Sequence, residues 1–194
     1  MNFINHIHIS IKYDENGYTD EIMKEYEETF EDIIVKFRKN QVRSLALSKT
    51  DIQIINLYCI LLSNVRREDA IESFKKLKKY IEEHSTDKKS FSVMYTTITY
   101  NLSKHLGLDG QYEEAIEVAD EGLKSCKGYE RHQYFRGLLL NKACCLIKIN
   151  KDLGEAKELL KLSYLLYKYL KKEKSCEKII NHLKKKGIDD SFLS

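Results

Sequence analysis

The chain has 194 residues, 42% hydrophobic and 32% charged, a balance that excludes a disordered tail or a membrane protein and suits one domain with a sizeable core. It holds no proline, where average usage would supply roughly ten; proline is barred from helix interiors because it lacks the N–H and clashes with the preceding turn, so its absence fits a chain that is helical nearly throughout. The net charge of +3 is too small to indicate a polyanion partner.

Residues 1–18 are the least regular. Ile4, Ile7, Ile9 and Ile11 fall among Asn5, His6, His8 and Ser10, and part of this alternates with the period of a strand. The run Asp14, Glu15, Asn16, Gly17 reads as a turn. A first helix is predicted over 19–38, capped by Thr19 or Asp20, with Ile22, Tyr26, Phe30, Ile33, Ile34 and Phe37 as its apolar stripe. Further helices are predicted over 51–63, 67–83, 91–106, 112–125, 134–148, 154–170 and 175–186. Residues 85–90 are polar and interrupt the pattern. Gly110 and Gly187 supply the permissive backbone for a tight turn and a helix stop.

The helices pair. Asn56 precedes Ala70 by 14 residues and Asn101 precedes Ala115 by 14, while Asn141 precedes Ala156 by 15; the extra residue fits a loop over 150–153. Such self-similarity marks a solenoid of helical hairpins. The small Ala near the start of each second helix lets the two helices approach, and Leu61, Leu106 and Leu146 fill the space beside it. One hairpin cannot bury its own apolar faces, so neighbours stack. The expected architecture is an all-α, α-α superhelix of about three hairpins, near 50–84, 91–126 and 134–171, within a repeat region over 50–173. A segment 1–49 with one capping helix precedes it, and a capping helix over 174–194 closes it.

The stretch from Tyr100 to Glu117 resembles a tetratricopeptide (TPR) motif: Ser103 is its small residue, and Leu106, the Gly110-x-Tyr112 turn and Ala115 follow in order. The motif's terminal proline is missing, and the Asn spacings of 45 and 40 exceed the usual repeat of about 34, which favours longer helices and loops. Long proline-poor repeats of this kind, with the segment from Asn141 to Leu146 and the run from Glu155 to Tyr164, resemble the C-terminal domains of the peptide-pheromone-responsive regulators of Gram-positive bacteria, the RRNPP group. The resemblance covers roughly residues 50–187. It implies a quorum-sensing transcription regulator whose superhelix cradles a signalling peptide, and an N-terminal helix-turn-helix often binds DNA in that group. No helix-turn-helix is recognisable here, and 1–50 is short for one plus a linker. The chain reads as a sensor domain cut from a regulator or as a stand-alone relative. The helical bundle through which Rap-type members promote dephosphorylation is not evident either.

In a TPR stack the first helix of each pair lines the concave surface, so Asn56, Asn101 and Asn141 are expected in a row along that groove. An amide side chain carries a donor and an acceptor and matches the main chain of an extended peptide. Helical spacing brings Thr97, Tyr100 and Lys104 near Asn101, and Gly137, Cys144 and Lys148 near Asn141. Lys104 and Lys148 are candidates to meet a peptide carboxylate. The same asparagines equally serve as bonds between neighbouring helices, and repeat duplication alone leaves such a recurrence.

Other constellations are plainer. His6 and His8 lack companion ligands for a metal. Lys75, Lys76, Lys78, Lys79 and Lys184, Lys185, Lys186 read as solvated faces. Glu82 with Glu83 and Glu113 with Glu114 are surface acids rather than a catalytic pair, and Tyr164, Tyr167 and Tyr169 alternate around a helix as packing residues. The five cysteines include no C-x-x-C pair and lie mostly in apolar runs, which suits a reducing cytoplasm. No signal peptide or membrane-length apolar run occurs in the sequence. The expectation is a cytoplasmic, non-enzymatic binding domain without cofactor, with a short linear peptide or a partner protein in the groove, a possible homodimer, and no direct nucleic-acid or membrane contact. The competing expectation is a stand-alone TPR scaffold for protein–protein interaction.

Overall fold

The computed structural model describes residues 2–39, 47–84, 88–126 and 134–193, apart from the side chains of 2–3 and 88–91. The described elements are helices: α1 (Asn2–Asn16), α2 (Asp20–Thr29), α3 (Glu31–Arg38), α4 (Lys49–Leu62), α5 (Arg67–His84), α6 (Lys88–Asp109), α7 (Tyr112–Ser125), α8 (Phe135–Lys148), α9 (Leu153–Tyr169), α10 (Glu173–Lys185), and a closing 3-10 turn, Ser191–Leu193. The fold is all-α and TPR-like. It forms two compact units, Met1–Asn101 and Leu102–Ser194, with the boundary inside α6.

The N-terminal segment departs from expectation. The alternating stretch is helix α1, not a strand, and Ile9 is its buried contact at 2% exposure while Ile4, Ile7 and Ile11 stay exposed. A strand would need a ladder partner, and a helix satisfies its own backbone. Among its described residues the segment therefore holds three helices, α1 to α3, where one was expected. The stripe predicted over 19–38 divides at Phe30, whose φ of −120° and ψ of 25° leave the helical region. No Gly or Pro marks that break, so apolar periodicity runs straight through it.

In the first unit the start of α2 is fixed by Thr19, whose Oγ1 accepts from the Ile22 N–H at 3.2 Å. The start of α4 is fixed by a capping box: Ser48 Oγ accepts from the Asp51 N–H at 3.2 Å, and Asp51 Oδ2 accepts from the Ser48 N–H at 2.9 Å. Helix α4 is the unit's centre. It buries Ile52, Ile54, Ile55, Leu57, Tyr58, Cys59, Leu61 and Leu62, with apolar residues all round, as a helix covered on every side must. Each fully buried aliphatic chain contributes roughly 1.5–3 kcal/mol. Helices α1, α2, α3 and α5 each pack on α4. Polar ties complete the unit: Tyr26 Oη donates to the Ile54 carbonyl at 3.0 Å, Arg38 Nε donates to Tyr58 Oη at 2.8 Å, and Lys76 lies 4.4 Å from the Phe37 ring centre while donating to the Phe37 carbonyl. Helix α6 is rich in β-branched hydroxyl residues, yet Thr96 and Thr99 are buried without penalty because each Oγ1 donates to a carbonyl one turn back, at 2.8 and 2.9 Å.

In the second unit α7 packs on α8 and α8 on α9. Ala115 and Ala156 are fully buried, as is Ala70 in the first unit, and Leu61, Leu106 and Leu146 are buried too. Gly107 is closely approached: a Cβ there would lie 3.0 Å from Cys145 Sγ. Four helices end alike. After α6, α8, α9 and α10 a residue with positive φ stands at the reversal: Gly110 (86°), Asn150 (53°), Lys171 (54°) and Gly187 (64°). The next N–H then bonds a carbonyl five residues back: Gln111 to Leu106, Lys151 to Leu146, Lys172 to Tyr167, Ile188 to Leu183, all 2.9–3.0 Å. The extra residue of the third hairpin lies in this reversal, where Asp152 (φ 43°) also caps α9 by accepting from the Glu155 N–H at 2.9 Å. Across the end of the unit Ala143, Leu160, Ile179, Leu183 and Leu193 form one apolar cluster.

Candidate functional site

In the first unit Asn56 on α4 and Asn101 on α6 meet. Asn101 Nδ2 donates to Asn56 Oδ1 at 3.1 Å, with Asn101 7% exposed and Asn56 half-buried. The 45-residue repeat spacing thus becomes a side-chain pair. Each amide carries donors and an acceptor, so the Asn56 N–H groups and the Asn101 carbonyl oxygen take no partner among the described residues. Together they offer donors and an acceptor, the complement of a peptide unit. Thr97, one turn earlier on α6, is half-buried and turns its hydroxyl to the Val93 carbonyl at 2.8 Å. Tyr100 is half-buried beside Asn101.

In the second unit Asn141 on α8 donates through Nδ2 to Ser103 Oγ at 2.9 Å, so it pairs with the small residue of the repeat and not with another Asn. Lys104 and Lys148 are exposed, and Gly137 is buried. Cys144, one turn from Lys148, has its thiol pushed up to about 12, first by burial and then by Cys145, against the pull of Lys148 and Lys186. It is a neutral side chain at physiological pH, without thiolate chemistry.

Three side chains whose surroundings sequence reasoning did not foresee matter here. Lys142 is 9% exposed and bridges α7 to α9: its Nζ donates to Asp120 Oδ1 at 2.7 Å and to Glu155 Oε1 at 2.6 Å. Burial alone would lower its pKa, but the two carboxylates outweigh it and raise it. Burial first, and then the positive charges of Lys186, Lys148 and Lys185, hold the His182 ring below its ordinary pKa. Nothing in the local pattern shows that the charge of Lys148 on α8 acts on a ring of α10. At the other end of the chain His6 Nδ1 lies 2.9 Å from Tyr26 Oη, which makes it a packing residue of α1. Among the described residues no group of three metal-ligating side chains occurs, and no helix is long and apolar enough to cross a membrane.

Residues 18–187 match the family model described as the RNPP family C-terminal domain. The chain belongs to the RNPP family. The fold of this RNPP domain is similar to that of Bacillus thuringiensis PlcR, in the crystal structure described as PlcR in complex with the peptide PapR7 and DNA. The TM-score is 0.62 at 17% sequence identity, over 93% of this chain and 68% of that one. No curated protein sequence matches the RNPP domain.

Proposed function

We propose that this RNPP domain is the signalling-peptide sensor of a cytoplasmic bacterial transcription regulator, acting by binding and not by catalysis. The observation that carries the reading is the family match over 18–187; PlcR, of similar fold, was crystallised with a peptide and DNA. The Asn56–Asn101 pair supports it, because two amides held together present the donor and acceptor that an extended main chain needs. On this reading Asn56, Asn101 and Asn141 hold the peptide backbone. Thr97, Tyr100, Cys144, Lys104 and Lys148 contribute side-chain contacts. DNA contact is left to other parts of the regulator.

The test is affinity selection from synthetic peptides of five to eight residues, followed by calorimetry on those retained. Asn56→Ala and Asn101→Ala should each weaken binding by roughly tenfold, the scale of one hydrogen bond to main chain. Circular dichroism should remain unchanged. If the wild-type domain retains no peptide, the reading fails and the plain interaction scaffold replaces it. Homodimerisation is the second part of the proposal. Leu162, Leu165 and Tyr169 line one exposed stripe of α9, and Leu165→Glu should convert a dimer to a monomer in sedimentation.

A further inference from the structure

Two helices leave apolar stripes of the same spacing open to solvent. On α1 the stripe is Ile4, Ile7 and Ile11, at 73%, 41% and 50% exposure; on α9 it is Leu162, Leu165 and Tyr169, at 43%, 43% and 84%. Each runs in steps of three and then four residues, the spacing that keeps side chains on one face and forms the seam between two paired helices. The inward faces are already used: α1 buries Ile9, and α9 buries Ala156, Leu160 and Ser163. A single exposed apolar residue is ordinary on a protein surface, whereas three in line mark a face that something else covers.

The charges that follow the two stripes are opposite. One turn beyond Ile11 stand Asp14 and Glu15, both exposed, in the last turn of a helix that has no basic residue there. A helix C-terminus favours cations and disfavours acids, so α1 ends on charges that its own backbone does not stabilise. Beside and just beyond Tyr169, α9 ends on the exposed Lys168, Lys171 and Lys172. None of these five side chains forms an ion pair among the described residues. The surroundings share the bias. Between residues 14 and 32 nine acids stand against the single cation Lys24, and between 168 and 174 four lysines stand against Glu173.

We propose that the two stripes cover each other between copies of this chain. Helix α1 of one copy lies parallel along α9 of another, with Ile4, Ile7 and Ile11 against Leu162, Leu165 and Tyr169. Asp14 and Glu15 then meet Lys168, Lys171 and Lys172. The charges set the direction, since antiparallel packing would carry the acids away from these lysines, and opposite charges flanking an apolar seam fix both partner and register. The inference rests on the homodimer part of the proposed function and names the face of the second copy that α9 meets; it is independent of peptide binding.

Sedimentation of the 194-residue chain tests it, with two variants run alone and mixed in equal amounts. Ile7→Glu and Leu165→Glu should each be monomeric at a concentration where the wild type associates, because each lacks one of two complementary faces. Their mixture should form a species of two copies and stop there, since it retains one intact α1 face and one intact α9 face. Should Ile7→Glu lose the helical circular dichroism of the wild type, charge exchange takes its place. Asp14→Lys with Glu15→Lys should weaken association roughly tenfold or more, and Lys168→Glu with Lys172→Glu added in the same chain should restore it. Ile7→Glu associating as the wild type does, a mixture that stays monomeric, or a charge exchange without loss and rescue overturns the pairing of α1 with α9 and leaves peptide sensing and a homodimer through another face standing. A monomeric wild type overturns this inference and the homodimer together, with peptide binding untouched.

Discussion

Single residues carry two measurable effects on stability. Lys142 is the cation of a three-member bridge whose carboxylates keep about two-fifths exposure. Solvent screens them, so Lys142→Met should cost about 1–2 kcal/mol in urea denaturation, well short of a fully buried pair. An unchanged midpoint would show the bridge to be neutral. Because the folded pKa of Lys142 is raised above its ordinary value, the contribution is fully present below pH 10.5 and lost as pH rises through the folded value. His6 behaves oppositely. Burial lowers its folded pKa below 6.5, so its contribution is present above that value and lost as pH falls through the folded one. His182 shifts in the same direction. Melting temperature should therefore fall between pH 7 and pH 5, and His6→Gln should make that fall shallower. A slope identical to wild type would remove His6 from the account.

At the scale of elements, the helix endings and the close approach of hairpins decide the outcome. Lys171 holds a positive φ of 54° where α6 and α10 use glycine. A side chain there costs strain that glycine avoids, so Lys171→Gly should raise stability by about 0.5–1 kcal/mol, whereas Gly110→Ala should lower it by a similar amount. Gly107 faces Cys145 at a separation a methyl group would close to 3.0 Å. Gly107→Ala should therefore destabilise by about 1–3 kcal/mol, and Cys145→Ala added to it should recover part of the loss. Additive effects in that double-mutant cycle would show that the sulfur is not what the new methyl meets.

Over the whole molecule, the repeat was legible because the Ala and Leu positions that pack hairpins must recur in sequence. Ala70, Ala115 and Ala156 lie buried where the spacing put them. The division at Phe30 was hidden because buried residues on both sides share one stripe, and α1 was hidden because only Ile9 among its isoleucines faces the core. Of the candidate binding residues, the Asn56–Asn101 pairing followed from equivalence of repeats. That the charges of Lys148 and Lys186 act on His182 was not legible, since α8 and α10 carry these residues 34 to 38 positions apart in non-equivalent sequence contexts. With a net charge of +3, the domain alone should show no retention of duplex DNA at physiological salt in an anisotropy titration. The buried thiols have a further use. Cys59 sits wholly buried on α4 in one unit and Cys145 is buried on α8 in the other, so an alkylating reagent reaches either only when its own helix opens. Mass spectrometry of the two modified peptides over time would give each unit its own opening clock, and a ligand that slows one clock and not the other would reveal which unit it holds shut.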